Sequence, residues 1–185
     1  MKKILLFLLV LSIIRCDNNY YKEVNLIDLV PTDPVLLVKY ESSNKINVET
    51  FNKSFNTLIN HQIDSISQRF LDKPLLISYH NIGKNNLQSI SFTNEKNILK
   101  QNNIKDSLLY NGFIIKKAVT NNIEFFNTVK NGIYIESKSK LLVENSLRNS
   151  NYTATIESRD LKELYNISNS NSTLFISDEF SEYLK

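Results

Sequence analysis

Residues 116–137, KKAVTNNIEFFNTVKNGIYIES, constrain the fold more than any other stretch of this chain. They are short runs rich in β-branched and aromatic residues, interrupted at Asn121-Asn122 and at Asn131-Gly132. Both dipeptides tolerate the positive φ that tight hairpin turns demand. Residues 113–137 are therefore predicted to form a three-stranded antiparallel meander. Ser139 follows as a helix cap, with the helix running to about Asn149 and turning Leu142, Val143 and Leu147 inward.

The first half of the chain carries a different pattern. Pro34 precedes an apolar run, Val35 to Tyr40, suited to a buried strand, because a proline at a strand's start removes no ladder bond. Val48, Phe51, Phe55, Leu58, Ile59, Ile63 and Ile66 then recur at mostly helical spacing, with Asn47 placed as the cap. Such a stripe is core far more often than ligand site. Pro74 introduces a second strand, Leu75 to His80, and HNIGKNN turns into a third at Leu87 to Phe92. This is a β-α-β-β unit, whose first two strands are expected to be parallel neighbours or to flank a third. A strand at Thr153 to Glu157, a helix from Asp160 to Tyr165 and a strand at Thr173 to Ser177 complete the expectation. The predicted class is α+β: an antiparallel meander plus a β-α-β-β unit, packed with amphipathic helices.

The front end reads as an address, not as part of the core. Lys2 and Lys3 precede Ile4 to Ile14, which is apolar except for Ser12. A helix over that run reaches only about 16 Å, against about 30 Å for a bilayer core. The length fits the apolar core of a secretory signal, so residues 1–15 are expected to be a signal peptide. Residues 16–30 are then a tether, and 31–185 one α+β domain or two small subdomains, the C-terminal unit being incomplete. Cys16 is the chain's single cysteine, so an exported form carries no internal disulfide. Removing Lys2, Lys3 and Arg15 lowers Lys+Arg from 22 to 19, which equals the 19 Asp+Glu. A formally neutral chain lacks the electrostatic footprint of a nucleic-acid binder.

Several chemistries are missing. The three glycines, Gly83, Gly112 and Gly132, lie too far apart for a phosphate-cradling loop or a dinucleotide fingerprint. His61 and His80 cannot share one helix turn, and no second cysteine completes a zinc site. Asp178, Glu179 and Glu182 lack calcium-loop spacing and read as a solvated helix end. No metal and no cofactor is expected. Asn52-Lys53-Ser54 matches a glycosylation acceptor, as Asn-rich chains do by chance. Ser78 and His80, two apart on a predicted strand, point to one face, so His80 lies within reach of Ser78 as a base. Neither a nucleophile elbow nor an acid partner accompanies them, and both fit the polar side of a half-buried strand.

Ile13, Ile14, Arg15 and Cys16 resemble the lipobox of bacterial lipoproteins, with Arg15 standing where that pattern has a small residue. VPTDPVLLVKY, Val30 to Tyr40, and the later NGIYIESKSKLLVENSL resemble segments of large Bacteroidota cell-envelope lipoproteins of unknown biochemical role. The likeness is diffuse, and such proteins are usually much longer, which suggests a short or truncated member. It implies acylation of Cys16, by palmitate or similar chains, and a surface or periplasmic lipoprotein. The expected function is a lipid-anchored envelope protein, on the outer membrane or the periplasmic side, that binds or scaffolds. Its partners would be the membrane, through the lipid, and another envelope protein. The alternatives are an envelope hydrolase using Ser78 and His80, and an exported domain with no anchor.

Overall fold

The computed structural model describes residues 25–40, 74–83, 86–94, 104–120, 122–149, 156–168 and 172–178. Asn-Gly turns set the register in one half of the molecule. Asn111 and Gly112 have φ of 49° and 81°, and Asn131 and Gly132 have 53° and 75°. Two successive residues at positive φ match the twist of the strands they join, which is why this turn favours Asn followed by Gly. The first connects β4 (Ile104–Tyr110) to β5 (Phe113–Thr120), and the second connects β6 (Ile123–Lys130) to β7 (Ile133–Ser137). The meander expected over 113–137 is present, and β4 extends it by one strand.

The other strands are β1 (Leu36–Tyr40), β2 (Leu75–Asn81), β3 (Leu87–Asn94) and β8 (Ser172–Ile176). All eight form one open sheet in the order β4-β5-β6-β7-β3-β2-β1-β8, and every neighbouring pair is antiparallel. Among the described residues two short helices pack on it, α1 (Lys140–Asn149) and α2 (Ile156–Ile167), so the class is α+β. Ser139 caps α1 as expected, its Oγ accepting from the Leu142 N–H at 3.4 Å, and Leu142, Val143 and Leu147 are buried.

Side chains alternate between two apolar clusters. Leu36, Val38 and Tyr40 of β1 join Leu75, Ile77 and Tyr79 of β2 on one face. Leu37, Leu76, Ile90, Phe92 and Ile135 face the helices on the other, with Val143 and Leu147 of α1 and Tyr165 of α2. Each helix is pinned at its C-terminal end by a lysine from the sheet. Lys39 Nζ donates to the carbonyls of Tyr165 and Ser168 at 3.4 and 2.9 Å, and lies 4.5 Å from the centre of the Tyr165 ring. Lys130 Nζ donates to the Leu147 carbonyl at 2.9 Å, 4.9 Å from the centre of the Phe113 ring. A cation there satisfies carbonyls that have no partner in the helix and opposes the helix dipole. Burial holds the Lys130 ammonium below the ordinary lysine range.

Several expectations are corrected. β1 and β2 are antiparallel neighbours, because Tyr40 pairs with Leu75. The intervening chain thus leaves and returns at the same end of the sheet, which gives an antiparallel pair whatever that chain contains. The stripe from Val48 to Ile66 lies outside the described residues, as do the signal segment and Cys16. The strand expected at 153–157 conflicts with α2, which begins at Ile156 and includes the helix read from Asp160 to Tyr165. Among the described residues a single sheet runs through all eight strands.

Of the region read as a tether, 16–30, the described part begins at Asn25. Residues 26–29 form a 3-10 turn whose Leu26, Ile27 and Leu29 are buried against the helices. The Leu29 carbonyl accepts from Ser146 Oγ at 2.7 Å, Lys162 pairs with Asp28, and the Asn25 side chain donates to that of Asn166 at 2.9 Å. These links wedge the turn between α1 and α2. Ser146→Ala leaves the buried Leu29 carbonyl without that donor. It is expected to cost about 1–3 kcal/mol in urea denaturation, with the slope unchanged.

Candidate functional site

The sequence singles out Ser78 and His80, and the fold brings them together. Both lie on the helix-facing side of β2, the side of Leu76. Ser78 Oγ and His80 Nε2 are 2.6 Å apart. The backbone at Thr32 and Asp33 also acts on the imidazole and favours its protonated form. Ser78 Oγ and Nε2 share one hydrogen bond, whose donor is set by the ring's tautomer.

That backbone is delivered by a bent connection. After the buried 3-10 turn the chain runs through Pro31, Thr32 and Asp33 before entering β1, and Asp33 has a φ of 56°. Asp is one of the few residues that tolerate the left-handed region, so the chain can turn there without glycine. Desolvation is the main influence on His80 and lowers its pKa to about 4, the two backbone contacts opposing the shift only in part. The ring is neutral at pH 7.

Beside His80 lies a cleft of about 340 Å³, bounded by the Pro31–Asp33 connection, the end of β2 through Gly83, and Leu141, Leu142 and Asn145 of α1. His80 lines it; Ser78 does not. A serine and a hydrogen-bonded imidazole oriented by a third group is the arrangement of an activated nucleophile. Here, however, Ser78 is 0% exposed and His80 5% exposed. A reacting carbonyl must come within about 3–3.5 Å of the nucleophile, and the cleft does not reach Ser78. What the arrangement does is join the Pro31–Asp33 connection to the sheet through a buried imidazole that is hydrogen-bonded to Ser78.

Sequence reasoning missed Asp33 and Asn145 as cleft residues. Neither stands in a motif, and in a chain this rich in Asn no single asparagine is conspicuous. The remaining sequence candidates are not brought together. Cys16 lies outside the described residues, as do His61, Glu179 and Glu182, and Asp178 sits just beyond β8. Among the described residues no group of three His, Cys, Asp or Glu side chains could hold a metal ion. Among the same residues no helix is long and apolar enough to cross a membrane, which says nothing of strands. Comparison with protein-family models, curated proteins and solved structures found no match.

Proposed function

We propose that this is a lipid-anchored protein of the cell envelope whose α+β domain works by binding or scaffolding. The observation that carries the reading is Cys16, the single cysteine, separated only by Arg15 from an apolar run too short to span a bilayer. Acyl chains at that position would each contribute about 0.8 kcal/mol per buried CH₂, enough for a stable anchor when more than one is attached. Leu26, buried in the fold, follows Cys16 by only ten positions, so chain length alone gives a short leash that spans at most about 35 Å. A domain on that leash meets partners at the membrane surface, and the cleft beside His80 is the concave surface it offers them.

The test is metabolic labelling with a fatty-acid analogue. The native chain is expected to take up label and Cys16→Ala to take up none. An unlabelled native chain would remove the anchor and leave an exported domain without one.

A second reading, an envelope hydrolase, is favoured by the 2.6 Å hydrogen bond between Ser78 and His80. The full burial of Ser78 weighs against it. Hydrolysis of activated esters by the native chain, lost in Ser78→Ala with the fold retained, would restore it.

A further inference from the structure

We propose that β8 is a self-pairing edge, through which two copies of this chain join antiparallel strands about a two-fold axis. Among the described residues the sheet has two edge strands, and they differ in chemistry. An edge presents a row of backbone donors and acceptors to any passing strand, and proteins blunt it with charges, bulges or proline. β4 is blunted in this way: it carries Lys105 and Asp106, and its register breaks between Ile104 and Asp106. β8 reads Ser-Thr-Leu-Phe-Ile, with no charge and no proline, and its pairing with β1 is regular over all five residues.

β8 also carries exposed apolar side chains. Leu174 and Ile176 are 39% and 56% exposed, although their cross-strand partners Val38 and Leu36 belong to the buried cluster. The apolar stripe of β1 and β2 thus continues onto β8 and stops there uncovered. A strand added at this edge would extend the stripe, and its side chains would need to be apolar at alternate positions.

A second copy of β8 meets that requirement. With the two-fold axis at Leu174, Leu174 faces Leu174 of the other copy, and Ser172 faces Ile176 in both directions. Phe175 faces Thr173 on the opposite side. Opposed residues in an antiparallel pair point to the same face, so the apolar positions stay together. No like charges meet, because the strand holds none. An isologous contact of this kind closes at two copies and does not propagate. Five residues a side make a small interface, so the pair is transient.

Sedimentation of the full chain in density-matched detergent micelles tests this, across about 10 μM to about 1 mM, the range of a transient interface. The native chain is expected to move from one chain mass toward two. Leu174→Lys sets two cations face to face and is expected to weaken association at least about tenfold. Leu109→Lys, on the exposed part of β4, is expected to associate like the native chain. Ile176→Lys is the second variant if circular dichroism shows that Leu174→Lys has lost its fold. A single chain mass throughout for the native protein overturns the proposal. So does equal dissociation by Leu109→Lys, or undiminished association by a folded Leu174→Lys or Ile176→Lys.

Discussion

Phe92→Ala is expected to lower the free energy of unfolding by about 3–5 kcal/mol, which for a domain of this size approaches its whole stability. Phe92 is fully buried on β3, between its cross-strand partners Leu76 and Ile135, on the face that carries the helices. Removing the ring takes apolar area out of the core and leaves a cavity where the two hairpin regions of the sheet meet. The neighbouring strands are held by ladder bonds on both sides of β3 and cannot collapse to fill it. Chemical denaturation of the native and variant chains measures the difference. A loss below about 1 kcal/mol would mean that the centre of this sheet is not packed as described.

The second large effect is a dependence of stability on acid. His80 is neutral in the fold with a pKa near 4, against 6.5 for an unperturbed histidine. Between those values the unfolded chain holds a proton that the native chain does not, so stability rises with pH across the interval. The contribution is complete above about pH 6.5 and is lost as the pH falls toward 4, amounting to about 3 kcal/mol. Unfolding free energies measured at intervals from pH 7 to pH 4.5 should show the slope, and His80→Gln should flatten most of it. Equal slopes in the two proteins would mean that the imidazole is not held neutral against Thr32, Asp33 and Ser78.

The parts of the fold that could be read in advance are those whose local chemistry leaves little choice. Asn131-Gly132 can make a tight hairpin and little else, so β6, the turn and β7 are legible from a few letters. β1 and β2 announce themselves as largely apolar runs because each is buried by neighbours on both sides. β4 does not. It is an edge strand with most of its side chains in solvent, and Ile-Lys-Asp-Ser carries no alternation for pattern reading to find. The direction of β1 against β2 was hidden for another reason, since it depends on where a long connection returns and not on what the connection is made of.

The site divides in the same way. That Ser78 and His80 share a face follows from their spacing on a strand. That they are buried, and that His80 also meets backbone from the start of the domain, depends on a connection some fifty residues upstream. Its letters, Pro-Thr-Asp, mark the start of the domain and carry no sign of a contact with His80. Leu26, Ile27 and Leu29 were read with the tether because a single 3-10 turn is too short to show a period.

That same turn decides how the domain would bear mechanical load. A pull on the chain ahead of Asn25 reaches the sheet only after passing through the Asn25–Asn166 and Lys162–Asp28 contacts and the bond from Ser146 to Leu29. Tension would therefore be shared first between α1 and α2, and the eight-stranded ladder would be strained last. Under force the molecule should yield in two steps: a small early release as the turn slips from between the helices, then the larger rupture of the sheet.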